Sequence, residues 1–497
     1  MTSVVFGIFC SILLNSVAFS QPLQVQFTSE PTQYDPLFLE DGVALRLAAN
    51  TLGTLYSYDG KGERKKGLVD SYTRSKDRLH YTFRFKPWLR WSDGKPFHAS
   101  QFVLALKRLT EEPVKGALSD LYPKIDLKKT KATDPRTAEV VLEEPDEQLL
   151  NWLTMPPFAP IREDLIESYS KTRSPVVPTL GAYRIAEYQR DQYLVLKKNP
   201  EFHDGKEVSI EEVKIRFLSE EGVLLPLLKS GSIDILTRVP VLQQKQISEI
   251  ATVYEVPVEA VTYLAFNTKK APFNEVKNRI AIRNAFLIPK RIELANLLKT
   301  GEVGAASFLP VLLAPGGYRR EWNVVGEKAA EKLEFSIQSD QSSRNSTMLE
   351  YVQSEIKDQL GWKPKLEMLD WKAHYAKLKS DPSEMYRFGW QNPVSDPSIV
   401  YGVLTAKSPN NFTGWSNKEF DDLVEDLRQE NRMVKRSKII YELESILWDE
   451  APLVPLLHQV LRFAGSKRVT GFRANPFGVI LFRELHLNGN SNSETKN

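Results

Sequence analysis

The chain has 497 residues, 42% of them hydrophobic and 26% charged, with 66 basic against 63 acidic side chains and a net charge of +3. That length exceeds what one hydrophobic core serves, which predicts two or three lobes. Nearly balanced, interspersed charge leaves no electrostatic footprint for nucleic acid or an anionic membrane, and with Cys10 as its single cysteine the chain beyond that residue has no Cys nucleophile, Cys-ligated zinc or iron–sulfur cluster.

Residues 4–19, VVFGIFCSILLNSVAF, form an apolar run that closes on Ala18-Phe19-Ser20, the small–x–small form of a signal-peptidase site before Gln21. The run is short for a membrane span, and nothing downstream is apolar for long enough. Residues 1–20 therefore read as a cleavable export signal, although no Lys or Arg precedes the apolar run. Phe9 stands before Cys10 where a lipidation site needs a small residue, so no lipid anchor is expected. Cys10 would leave with the signal, and the exported chain must then rely on its core rather than on disulfides.

Residues 23–28 (LQVQFT) alternate as a half-buried strand does, and residues 43–56 have helical periodicity. Residues 68–72 and 79–86 form a β-ribbon with Leu79, Tyr81, Phe83 and Phe85 on one face. The ribbon leads into WLRWSDGKPFHASQ, residues 88–101. There Asp93-Gly94 marks a tight turn, Pro96 stiffens the exit, and Ser100 is placed as the N-cap of a helix over 101–109. A second ribbon over 125–142 turns at Asp134-Pro135-Arg136. A short helix over 147–154 follows, and then a proline-rich passage between lobes over 155–180.

Residues 183–188 and 193–198 make a third ribbon. A strand at 213–217, a helix at 222–230 and a buried strand within 231–236 come next, an order that predicts a parallel, wound sheet. Strands are expected at 253–258 and 261–267, a helix at 278–298 broken at Pro289, and a loop at 301–310. A second wound unit opens at 332, with helix 346–359, strand 365–369, helix 372–378 and strand 387–390. Residues 391–397 (QNPVSDP) read as loop, 419–430 and 433–449 as helices, 454–463 as a last strand, and the polar tail 488–497 as disordered. The expected class is α/β: two wound lobes with an inserted, ribbon-rich subdomain.

Chemistry is sparse. No two of the six histidines lie within four residues of each other, which removes a helical metal pair. There is no Gly-x-Ser-x-Gly elbow, phosphate-binding loop or dinucleotide fingerprint. No catalytic residue, metal or cofactor is expected.

Five blocks, in order, carry a resemblance. They are LGTLY with YDG (residues 52–60), YTFRFK with RWSDGKPFHASQFVLALKRL, GAYRIAEY through LKKNPEF, SGSIDI with YLAFNTKKAPFNEVKNRIAIRNAF, and finally GWQNPVSDPS, NNFTGWSNKEFDDLV and DEAPLVPL. Across residues 23–485 the chain resembles the extracytoplasmic solute-binding proteins of peptide-type ABC importers, the oligopeptide- and dipeptide-binding class of family 5. The resemblance implies a two-lobed fold of the periplasmic-binding-protein type II kind. Lobe I would be built from 21–40, 175–258 and 460–487, the inserted subdomain from 41–174, and lobe II from 262–458. The lobes would close about crossings near 256–263 and 457–463. It further implies a peptide or another small organic solute held between the lobes, permease subunits of an ABC importer as partner, a monomer in the periplasm, and no catalysis. The WSDG block would lie in the insertion, away from the cleft.

By the same resemblance, ligand contacts fall to Glu30, Tyr122, Gly389, Trp390, Gln391, Asn392, Asp396, Trp415 and His458. In the peptide binders an Asp three residues beyond the Gly-Trp pair's Trp anchors the ligand's α-amino group. Here that position is Pro393, which has neither a carboxylate nor a backbone donor. Either Asp396 or Glu30 takes the ammonium, or the ligand has no free amino terminus. Two other classes stay open: a ligand-sensing or chaperone-like binding protein on the same scaffold, and an extracytoplasmic hydrolase working with Glu30 and Asp396 across the cleft.

Overall fold

The computed structural model describes residues 21–39, 41–111, 118–172, 174–313 and 332–488, so residues 1–20, where an export signal is expected, and residues 489–497 of the polar tail lie outside the described residues. Leu23, Val25 and Phe27 are buried along the first strand, Leu23–Phe27, which pairs in parallel with both Glu212–Phe217 and Ile235–Leu236. The Leu224–Lys229 helix makes that crossover, as the strand–helix–strand order predicts. A second parallel set lies further along: Glu334–Asp340 pairs with Lys363–Leu369 and with Met385–Gln391. The Ser343–Leu360 helix, capped by Ser342 and ended by Gly361 at φ +70°, makes the crossover there.

Two long antiparallel strands, Ala251–Phe266 and Leu453–Ser466, hydrogen-bond the two sets into one sheet. Each set keeps its own apolar core. Leu23, Val25, Leu194, Val213, Ile215 and Phe463 belong to one. Phe266, Phe273, Phe335, Ile337, Met348 and Trp362 belong to the other. A third core joins the ribbons of the first 180 residues (Phe83, Phe85, Phe102, Trp152) to Val261, Trp390, Tyr401 and Phe420. The ribbon-rich part therefore packs onto the second α/β half.

The pairing of the two long strands breaks at one place that matters below. Pro257 pairs with Val460 and Val261 with His458, so residues 258–260 stand opposite Gln459 alone. Such a bulge bends the strand and frees backbone groups to bond elsewhere.

Several sequence expectations are corrected. The helix expected over 43–56 is Gly42–Thr51; Leu52 is extended, and a Cβ on Gly53 would lie 2.6 Å from that of Leu180, so the chain leaves the helix to pass that segment. Ser100 is not a cap but lies inside the Ala99–Glu111 helix. Its neighbour Gln101 does the capping, its Oε1 accepting from the His98 N–H (3.1 Å) and the Trp91 indole (3.0 Å). The passage 155–180 contains a helix, Glu163–Thr172, and residues 391–397 lead directly into the Pro397–Gly402 helix. The strands expected at 253–258 and 261–267 are one strand carrying the bulge.

The WSDG block folds back on its own subdomain: Arg162 holds both carboxylate oxygens of Asp93 (2.9 and 3.0 Å) and lies over the Trp91 ring. Among the described residues no helix is long and apolar enough to cross a membrane, and no cluster of His, Cys, Asp and Glu has the form of a metal site.

Candidate functional site

The Met385–Gln391 strand runs beside Ala251–Phe266, and strand alternation buries Tyr386, Phe388 and Trp390 against the third core. Gly389 faces the other way. A Cβ there would meet the Val261 carbonyl at 3.3 Å and the Gln459 amide at 3.4 Å, which leaves little room for any larger residue. Past Gln391 the chain leaves the sheet and is caught by the bulge. The Asn392 N–H donates to the Glu259 carbonyl (2.7 Å), and the Asn392 side-chain amide donates to the Glu259 carboxylate (3.1 Å) and to the Val394 carbonyl. Ser395 Oγ donates to the other Glu259 oxygen at 2.6 Å.

Glu259 is buried, and burial raises its pKa against the opposing pull of the Ser395 and Asn392 hydrogen bonds. Its own N–H donates to the Pro476 carbonyl (2.9 Å), and Gln391 Nε2 donates to the Phe477 carbonyl (3.0 Å). The bulge, the 391–397 loop and the 475–479 turn are thus pinned together. Ser395→Ala strips one donor from a buried carboxylate. The expected cost is about 1–3 kcal/mol in urea unfolding, against the near-neutral effect of an ordinary surface Ser→Ala.

Above this junction lies a cleft of ≈ 840 Å³, within the size range of small-molecule sites. Its first wall comes from the amino-terminal and carboxy-terminal segments, with Gln33, Phe38, Leu45, Phe477 and Val479. The second comes from the other α/β half, with Trp371, Tyr375, Phe388 and residues 389–393. A smaller chamber of ≈ 350 Å³ adjoins it and shares Leu45, Pro393, Phe477 and Val479.

Of the residues singled out from the sequence, Gly389, Trp390, Gln391 and Asn392 line this cleft together, with Pro393 beside them. The others are placed elsewhere. Buried Asp396 caps the Pro397–Gly402 helix through the Ser398 N–H (2.8 Å) and hydroxyl (2.6 Å) and pairs with the partly buried Arg436 at 2.6 Å. Glu30 accepts from the Tyr34 and Tyr188 hydroxyls (2.9 and 2.5 Å) and the Asp191 N–H (2.6 Å), which ties its loop to the Tyr183–Lys198 ribbon. Tyr122 packs edge-on against Trp152 and Phe158. Trp415 is buried against Phe420 and donates its indole N–H to Glu450 (2.5 Å). His458 is buried on the crossing strand and bonds the Ser307 carbonyl (3.0 Å).

The cleft also holds residues the sequence did not single out. Trp371 and Tyr375, one helical turn apart on the Trp371–Ser380 helix, stack with their rings 16° from parallel, and Phe388 continues the stack at 8° to Trp371. The available signal was an i, i+4 aromatic pair at the start of a helix otherwise rich in lysine.

The family model described as bacterial extracellular solute-binding proteins, family 5 Middle, matches residues 63–412. The dipeptide-binding protein DppE of Bacillus subtilis is 24% identical over 497 residues, covering 92% of this chain and 90% of its own. The probable deoxycholate-binding periplasmic protein YgiS of Escherichia coli is also 24% identical, covering 92% of both. Among solved structures, the murein tripeptide binding protein MppA of Escherichia coli superposes with a TM-score of 0.82 at 22% identity. It covers 95% of this chain and 99% of that one, and so shares the two-lobed fold.

Proposed function

The chain belongs to the bacterial extracellular solute-binding proteins of family 5, and from that premise we propose that it captures a peptide or a related small organic solute between two closing lobes and delivers it to the permease of an ABC importer. The observation that carries this reading is the ≈ 840 Å³ cleft, built jointly by both α/β halves directly above the strands that join them. A solute touching both walls favours the closed arrangement by its differential contacts, which is the physical basis of capture by closure. The Gln391 side chain, which donates to the Phe477 carbonyl, already runs from one wall to the other.

In this reading lobe I comprises 21–40, 175–258 and 460–487, lobe II comprises 262–458, and 41–174 is the inserted subdomain. Residues 1–20 direct export, and a monomer works in the periplasm. DppE and MppA carry names that state dipeptide and murein-tripeptide binding, whereas YgiS is named for deoxycholate. Relatives of one scaffold thus hold unlike solutes, and the chemistry of the cleft rather than the fold selects the ligand. Binding without catalysis is favoured by the two carboxylates a hydrolytic role would need: Glu30 serves two tyrosines and Asp396 serves Arg436, and neither lines the cleft.

Native mass spectrometry of freshly purified protein is the test. The expected result is a stoichiometric small-molecule adduct, released intact on denaturation. A chain that neither retains nor binds any solute from a panel of peptides and small organic compounds would overturn the proposal, and so would release of a cleaved product.

A further inference from the structure

Resting on the solute-capture reading, we propose that the cleft is built for an uncharged, ring-bearing solute whose ring lies on the aromatic shelf formed by Trp371, Tyr375 and Phe388. Trp371 is 53% exposed although it stands in a concave site. Its ring lies 5.5 Å from that of Tyr375 and 6.4 Å from that of Phe388, nearly parallel to both. Phe412 meets Tyr375 and Phe388 edge-on, at 89° and 86°, and locks the shelf from behind. Asp370 caps the helix at its start through the Ala373 N–H (3.1 Å), which fixes the backbone that carries Trp371. The Lys379 ammonium lies 4.4 Å from the centre of the Tyr375 ring, so Trp371 is the member of the shelf left open, and it gains its burial only when a ligand covers it.

The charge of the ligand follows from the rest of the lining. Among the described residues that line the cleft, Asp41 alone carries a formal charge. Its Oδ1 caps the Gly42–Thr51 helix at the Ala44 N–H (2.8 Å), and its Oδ2 accepts from the Thr32 N–H (3.2 Å) and hydroxyl (2.7 Å). An ammonium seated here would meet a single carboxylate, already held by three neutral donors at the helix start.

Two neutral groups buried beneath the lining lack partners among the described residues: Trp390 Nε1, a donor, and Asn392 Oδ1, an acceptor. The amide orientation of Asn392 is set by its other end, where the Glu259 carboxylate and the Val394 carbonyl require the NH₂ group. One donor and one acceptor, on Trp390 near the end of the strand and on Asn392 just beyond it, match a neutral amide or hydroxyl better than an ion.

Titration calorimetry with three compounds tests this: N-acetyl-alanyl-phenylalaninamide (uncharged, with a ring), alanyl-phenylalanine (charged, with a ring) and N-acetyl-alanyl-leucinamide (uncharged, without a ring). The first is expected to bind about fivefold tighter than the third and about tenfold tighter than the second. Trp371→Ala should erase the preference for the ring, whereas Trp371→Phe, which keeps a ring on the shelf, should retain it. Equal or tighter binding of alanyl-phenylalanine overturns the proposal, as does a ring preference that survives Trp371→Ala. Binding of none of the three also overturns it, whereas a retained adduct in native mass spectrometry would leave the capture reading standing.

Discussion

Arg428→Met is expected to lower the unfolding free energy by about 3–5 kcal/mol, because it strands a buried carboxylate. Arg428, on the Lys418–Gln429 helix, donates to Asp146 Oδ2 at 3.1 Å and to the Leu121 carbonyl at 3.2 Å. The Asp146 side chain is only 5% exposed. Burial raises its pKa, opposed first by the Arg428 charge and then by the Gln148 N–H that it accepts at 2.6 Å. With the guanidinium gone, the desolvation cost stands without its compensation.

The pair matters beyond stability, since it fastens the ribbon-rich insertion to the carboxy-terminal helices. Arg78 reinforces it by donating to the Gln429 carbonyl (3.1 Å) and to Glu147 (3.1 Å). Urea unfolding gives the energy, and amide exchange is expected to rise around residues 119–122 and 146–152. The double variant Arg428→Met with Asp146→Asn should recover a large part of the loss, because it removes the stranded charge. A single variant within about 1 kcal/mol of the parent, or additive losses in the double variant, would count against the pair as a fastening.

His458 is expected to make the protein sensitive to acid. Burial is the main cause that lowers its pKa from the ordinary 6.5 to about 4; the Ser307 carbonyl it bonds works the other way, and the Arg291 charge adds to the lowering. The folded chain thus keeps the imidazole neutral where the unfolded chain protonates it. The resulting stability is fully present above pH 6.5 and is lost as pH falls from there to about 4. Its size is about 3 kcal/mol, at 1.36 kcal/mol per pKa unit.

His203 is shifted in the same direction, chiefly by burial, so wild-type acid sensitivity alone assigns nothing. His458→Gln isolates the contribution. The variant loses stability at pH 7, and the gap to wild type should close as pH approaches 4.5. Urea titrations at pH 7, 5.5 and 4.5 measure it; a gap that stays constant with pH would refute the assignment. Because His458 pairs with Val261 at the edge of the bulge and with Val303 on its other side, its protonation acts on the strands that join the two α/β halves.

How much of this was legible from the sequence differs between scaffold and site. The wound units could be read because alternation, helical periodicity and Gly, Pro and Asp turn chemistry are local signals. The Leu23–Phe27, Glu212–Phe217 and Ile235–Leu236 strands and the Ser343–Leu360 helix lie close to where those signals place them. The same locality makes Gly389–Asn392 readable, since one continuous stretch brings all four to the cleft.

Local pattern does not show which groups are already engaged. Asp396 and Glu30 look like available carboxylates until Arg436, forty positions on, and Tyr188, in another ribbon, arrive beside them. Tyr122 and Trp415 look like a cleft lining until Trp152, Phe158 and Phe420 cover them. Glu259 drew no notice because the bulge that buries it exists only when two strands pair out of step. The aromatic shelf needs one helix and one strand, and the 412 turn behind them, to converge.

By itself, then, the sequence determined an α/β, two-lobed protein with a ribbon-rich insertion, its family, and one contiguous stretch of its cleft. Only the tertiary structure decided which carboxylates are taken, which aromatics stand open, and which buried polar groups keep no partner among the described residues. Secondary structure and turns follow from neighbours along the chain, whereas desolvation, ion pairing and stacking depend on neighbours in space.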